Sequence, residues 1–170
     1  MQVHPDLLRL DDVLPLSRDL ELDQARSGAL DNPQAAGAWP DSDAAARKLE
    51  EWGRTGGFQA TFIRRRPGTP DNPIVQAWAD VSTYRTSKGA LDALNDLAAR
   101  LMKQGATTIT GASIGDGSVT LRQVNGNLAT LHVLFRDGSA GVWIAVTGEA
   151  AGLQQEPVER LANVLSERIG

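Results

Sequence analysis

Residues 128–148 read Leu128-Ala129-Thr130-Leu131-His132-Val133-Leu134-Phe135-Arg136-Asp137-Gly138-Ser139-Ala140-Gly141-Val142-Trp143-Ile144-Ala145-Val146-Thr147-Gly148. Two apolar-rich strands flank an Asp-Gly turn. The chain then enters a segment in which Val158, Leu161, Ala162, Leu165 and Ile169 recur at helical spacing. An earlier stretch repeats this order. Residues 58–63 and 74–83 read as strands and lead into a helix carrying Leu91, Leu94, Leu97, Ala98 and Leu101. A duplicated strand–strand–helix unit, with halves at about 58–104 and 118–170, predicts an α+β fold built on a single antiparallel sheet. The expectation is about six to seven strands, with the long helices 88–104 and 157–169 side by side on one face. The halves should then be related by an approximate two-fold rotation.

Local signals refine this outline. Asn125-Gly126 and Asp137-Gly138 are hairpin dipeptides suited to type I′ turns, which need positive φ at both central residues. Asp41, Ser42 and Asp43 precede one extra short helix, expected over 44–52. Ser87 is placed to cap the first long helix, and Pro157 to occupy the first position of the second. Residues 107–112 and 118–124 add strands around a glycine-rich turn. Residues 1–40 contain Pro5, Pro15, Pro33 and Pro40 and read as an irregular arm lying across the α+β domain of residues 41–170, with one edge strand at 19–23.

Composition excludes several function classes. The chain has 170 residues, 41% of them hydrophobic and 22% charged, ordinary values for one globular unit. A net charge of −4 gives no basic stripe for a nucleic-acid backbone, so no nucleic-acid partner is expected. The absence of cysteine removes disulfides, thiolate metal sites and Cys nucleophiles. No apolar run approaches the roughly 20 residues that span a bilayer, so no transmembrane segment is expected. Met1 to Asp6 show neither the basic start nor the apolar stretch of a signal peptide.

Motifs for catalysis are thin. Of the two histidines, His4 is terminal and His132 stands alone between Leu131 and Val133, without the spacing of a metal site. Gly115-Asp116-Gly117-Ser118-Val119 lacks the second glycine of a nucleophile elbow and reads as a hairpin turn. Gly111-Ala112-Ser113-Ile114-Gly115 lacks the lysine of a phosphate loop. Arg64-Arg65-Arg66 suits a solvated strand end that discourages edge pairing, with anion binding the alternative. No catalytic residue, metal or cofactor is therefore expected.

Period-two alternation isolates one group worth keeping. Val75, Ala77, Ala79 and Val81 share a face of their strand, opposite Gln76, Trp78, Asp80, Ser82 and Tyr84. Leu131, Val133 and Phe135 oppose Thr130, His132 and Arg136, and Val142, Ile144 and Val146 oppose Trp143 and Thr147. If the aliphatic sets all face the helices, the other face gathers Trp78, Asp80, Tyr84, Arg122, His132 and Trp143. Aspartate is unfavourable inside a strand, so Asp80 needs water, a donor or a ligand. Aromatic bodies with polar tips suit a ligand surface. The competing reading is that the arm covers this face and uses the tryptophans for packing.

Leu10-Asp11-Asp12-Val13-Leu14-Pro15, Leu49-Glu50-Glu51-Trp52-Gly53-Arg54 with Gly57-Phe58, and Phe135-Arg136-Asp137-Gly138 before a closing helix form a familiar order. In this the chain resembles a group of exported or lipid-anchored bacterial domains of uncharacterised function. Its architecture is similar to exported helix-on-sheet folds of the PsbP-like class. The resemblance implies an extracytoplasmic address, with the export signal and lipobox cysteine absent from this sequence; without it, the address would be cytoplasmic. It supplies no catalytic residues. Three functions compete: a non-enzymatic binding domain for a small ligand or protein, a structural module forming a homodimer or larger homo-oligomer, and a small NTF2-like hydrolase or isomerase using Asp80 and His132. A deep pocket joining those two residues would favour the enzyme. A cleft would favour binding, and a flat apolar patch assembly.

Overall fold

The computed structural model describes residues 9–64 and 73–170. His4, the Arg65-Arg66 part of the basic run and the turn residues 67–72 lie outside the described residues. Among the described residues the fold is α+β, with one antiparallel sheet of eight strands. In chain order the strands are β1 (Leu20–Leu22), β2 (Gly28–Leu30), β3 (Arg54–Arg64), β4 (Ile74–Tyr84), β5 (Thr107–Ile109), β6 (Gly117–Asn125), β7 (Leu128–Asp137) and β8 (Ala140–Glu149). The helices are α1 (Leu10–Val13), α2 (Asn32–Gly37), α3 (Ser42–Glu51), α4 (Ser87–Lys103) and α5 (Gln155–Ile169). Across the sheet the order is β1-β3-β4-β8-β7-β6-β5, and β2 pairs with β3 further along the edge that β1 occupies.

The repeated strand–strand–helix units are β3-β4-α4 and β7-β8-α5, and they meet where β4 pairs antiparallel with β8. The long helices, however, lie on opposite faces of the sheet. Val158, Leu161, Ala162 and Leu165 of α5 pack with Leu131, Val133, Phe135, Val142 and Ile144. Ala98 and Leu101 of α4 pack with Leu121 and Leu134, whose side chains leave the other face. A rotation exchanging antiparallel β4 and β8 returns each sheet face to itself, so it would keep the helices together. The expected two-fold is therefore absent. The reason is β7, where Leu131 through Phe135 are all buried, so both faces of the strand need cover.

Ends and turns show smaller corrections. Thr86, not Ser87, caps α4 by accepting from the Gly89 amide at 3.0 Å. Gln154 precedes α5, so Pro157 stands two residues into the helix, still within the first turn. Asn125 pairs with Leu128 and Asp137 with Ala140, which shifts each hairpin loop one residue later than expected. Gly126 (φ 62°) and Gly138 (φ 54°) thus take the first central position, and among the described residues no non-glycine has positive φ. Positive φ at that position alone is the mark of a type II′ turn.

The N-terminal segment divides instead of crossing one face. Val13 joins the α5-side core, and Asp12 accepts from both Arg168 Nη atoms of α5. Beyond β1 the chain follows the sheet edge, where β2 pairs with β3, and then supplies α2, which packs on α3. Helix α2 forms despite Pro33 because Asp31 and Gln34 make a reciprocal capping box, and proline is harmless in a first turn. Of the core residues expected from periodicity, Val81, Leu101, Leu131, Val133, Ile144, Leu161 and Leu165 are buried. Leu94 is only half-buried, because it borders the cleft described next.

Candidate functional site

Between α4, the α2–α3 segment and the sheet lies an open cleft of about 550 Å³. Its floor comes from alternating positions on one face of β4 and β8: Trp78, Asp80, Ser82 and Tyr84, with Trp143 directly across from Asp80. Leu94 and Leu97 of α4 form one wall, and Trp39 and Trp52 flank the other. All four tryptophans of the chain and its single tyrosine line this space. Each tryptophan keeps part of its surface open. Trp78 and Trp143 meet edge to face, with centroids 4.0 Å apart at 89°, a favoured aromatic geometry that fixes both rings.

Under the aromatic surface runs a polar chain. Arg54, 3% exposed, donates from Nε to Ser82 Oγ at 3.0 Å, and Ser82 donates to Asp80 Oδ1 at 2.7 Å. Arg54 Nη1 also donates to the Leu30 carbonyl (3.2 Å) and Asn32 Oδ1 (2.9 Å), while Asn32 returns a bond to the Arg54 carbonyl. One guanidinium thus pins β2 and the start of α2 to the sheet. Gly57 makes this possible, because a Cβ there would stand 2.5 Å from Arg54 Nη2 and 2.7 Å from the Val81 carbonyl oxygen.

Burial pushes the Asp80 carboxyl above the usual carboxylate range, against the opposing pull of the Ser82 hydrogen bond and the Arg54 charge. Although Asp80 keeps a sliver of surface in the cleft, its carboxylate sits deep, and depth decides the direction. Tyr84 is pushed up to about 12, first by burial and then by Asp80, so its phenol keeps its proton. At the rim, Asp96 of α4 accepts from Lys48 of α3 and from Arg100 Nε, and the Arg100 guanidinium lies 3.5 Å over the Trp39 ring. These contacts hold α3 and Trp39 against α4.

The residues singled out from sequence divide accordingly. Trp78, Asp80, Tyr84 and Trp143 share the cleft. His132 is on the same sheet face but lies behind Trp143, 4% exposed, and accepts the indole N–H at Nδ1. Burial lowers its pKa to about 4, and its Nε2 meets no partner among the described residues. Arg122 belongs elsewhere. It points from the α5 face of β6 and donates to the Ala150 carbonyl at 2.8 Å. The expectation that the sheet face of the site would be free of both long helices also fails, since α4 walls the cleft. Trp39, Trp52, Arg54 and Arg100 escaped the sequence reading. The Trp52-Gly53-Arg54 motif was visible, but nothing local showed that it would turn toward β4. Among the described residues, no group of three or more His, Asp or Glu side chains converges as a metal site would require.

No family model matches the sequence, the PsbP-like class included, and no curated protein matches it. The fold does match a solved structure. The extracellular domain of PknH from Mycobacterium tuberculosis superposes with a TM-score of 0.64, at 10% identity, over 99% of this chain and 97% of that one. At that identity the likeness is one of fold. A GTP-binding regulator from Thermotoga maritima aligns over 96% of this chain and 91% of its own, at 15% identity and a TM-score of 0.38. No helix among the described residues is long and apolar enough to cross a membrane.

Proposed function

We propose that this protein is a non-enzymatic, extracytoplasmic binding domain that holds a small amphipathic ligand in the aromatic cleft. One observation carries the reading: every tryptophan and the single tyrosine converge on one open space. A chain that needed its tryptophans only for packing would bury them in its main core. That core, beneath α5, is aliphatic apart from phenylalanine. The cleft's volume is in the range of small-molecule sites, and its few polar groups sit together on the floor, where they could orient a ligand. The extracytoplasmic address rests on the fold shared with an extracellular domain. Acid–base chemistry by Asp80 and His132 has little support, because Trp143 stands between them and occupies His132 Nδ1.

Acrylamide quenching of tryptophan fluorescence tests the reading, paired with Trp78→Ala. The proposal expects quenchable emission in the free protein, protection by a bound aromatic amphiphile such as 2-phenylethanol, and loss of that protection in Trp78→Ala with folding retained. Emission that is already protected in the free protein would leave the cleft as packing.

A further inference from the structure

We infer that the ligand carries a cationic nitrogen, an ammonium on an apolar body, and that this nitrogen seats against Asp80 beside the Trp78–Trp143 pair. The inference rests on the binding role proposed above and adds the chemistry of the head group.

Three features of the floor point to it. First, Asp80 is half-satisfied. Its Oδ1 accepts from Ser82, and among the described residues no donor is found for Oδ2, in a side chain that lines the cleft. A carboxylate oxygen in such a place lacks a donor, and a ligand nitrogen would supply one. Second, the surroundings are aromatic. Trp143 is the cross-strand partner of Asp80, and Trp78 lies two residues earlier on the same face. Indole faces attract cations, and the effect grows where water is excluded. The neighbouring walls already display the preference: Arg100 lies 3.5 Å over Trp39, and Lys48 lies 5.7 Å from the centre of the Trp52 ring.

Third, the cations of the cleft are already engaged. Arg54 reaches Asp80 only through Ser82, and its Nε and Nη1 are occupied by Ser82, Leu30 and Asn32. Its remaining nitrogen, Nη2, is covered by protein and faces Gly57, so it offers an anion no open donor. Arg100 shares Asp96 with Lys48. An anionic head at the floor would therefore meet the open Asp80 oxygen, a like charge, with no free donor beside it to offset the repulsion. An ammonium would meet a charge-assisted acceptor there, with Leu94 and Leu97 of the wall available for its apolar body.

The experiment compares three probes of one shape by tryptophan fluorescence at pH 7: 2-phenylethylammonium, neutral 2-phenylethanol and anionic 3-phenylpropionate. The expected order is ammonium first, tighter than the alcohol by about tenfold or more, with the carboxylate weakest. Asp80→Asn should collapse the ammonium to the level of the alcohol. Should that variant unfold, the probe order on the native protein decides alone. Equal or tighter binding of the alcohol or the carboxylate would overturn the cationic assignment and leave the binding cleft standing. Failure of all three to bind, with tryptophans that resist acrylamide, would overturn both.

Discussion

Trp143 of β8 donates its indole N–H to Nδ1 of His132 on β7, 3.2 Å away. This bond sets one ring of the cleft floor from behind, and it requires a neutral imidazole with its proton on Nε2. Burial enforces that state by holding the pKa near 4. A histidine whose folded pKa lies below its unfolded value of roughly 6.5 takes up more protons when unfolded. Its share of stability is complete above pH 6.5 and falls away as pH drops toward 4. The loss should be on the order of 1–3 kcal/mol, and His132→Phe should flatten it. Urea unfolding at pH 7 and pH 4.5, with Trp143 emission as the probe, checks the sign.

Asp80 should behave in the opposite sense. Its folded pKa is raised, so in the range above its unfolded value the folded state binds more protons, and ionisation opposes folding as pH rises. Asp80→Asn keeps an acceptor for Ser82 and removes the buried charge, but it also removes the counter-charge to Arg54. Burial is the larger influence, so the variant should be as stable as the native protein at pH 7 or more so. The advantage should shrink as pH falls toward 4. Thermal midpoints across pH 4–8 test this, and a large destabilisation at pH 7 would show that the Arg54 charge outweighs burial.

Arg54 is expected to be the most sensitive polar residue. Arg54→Met breaks the ties to Ser82, Leu30 and Asn32 together and leaves Asp80 without compensation. Removing one partner of a buried charged network typically costs about 3–5 kcal/mol. Gly57→Ala should act in the same direction by pushing a methyl into the guanidinium and the Val81 carbonyl. Limited proteolysis should then cut within residues 24–40, which Arg54 otherwise fastens down.

Leucine truncations separate core from cleft. Leu131→Ala and Leu161→Ala each remove a fully buried side chain and should cost about 2–5 kcal/mol. Leu94→Ala opens onto the cleft and should cost less, about 1–2 kcal/mol, while weakening ligand binding. Denaturant midpoints for the three variants, measured side by side, check the ranking.

The strands were legible because their alternation is strong, and four cleft residues were legible because Trp78, Asp80 and Tyr84 share a parity that pairing extends to Trp143. Helix placement was not. The faces of β7 were sorted by Leu131, Val133 and Phe135, and Leu134 on the opposite side was passed over. With Leu121 beside His132 on β6, that leucine makes a second apolar surface, and α4 covers it. Arg122 does not belong with the cleft group on parity: it stands opposite Leu131, and the register implied by an Asn125-Gly126 turn differs by two residues, which leaves its face unchanged, so the turn already tied it to the Leu131 side. Arg54, Trp39 and Trp52 belong to the cleft through contacts between distant segments, and no local pattern records those. The prolines of the arm concealed α2, whose capping box was nonetheless present as Asp31 and Gln34.

The cleft's role as a ligand site is tested most directly by the four indole N–H resonances of the nitrogen-15-labelled protein during titration with 2-phenylethylammonium. The account predicts that the Trp78 and Trp143 signals shift together along one saturable curve, and that Trp78→Ala abolishes the movement of Trp143 while the amide spectrum stays folded. Indole signals that remain still through the titration, or that move equally well in Trp78→Ala, would contradict it.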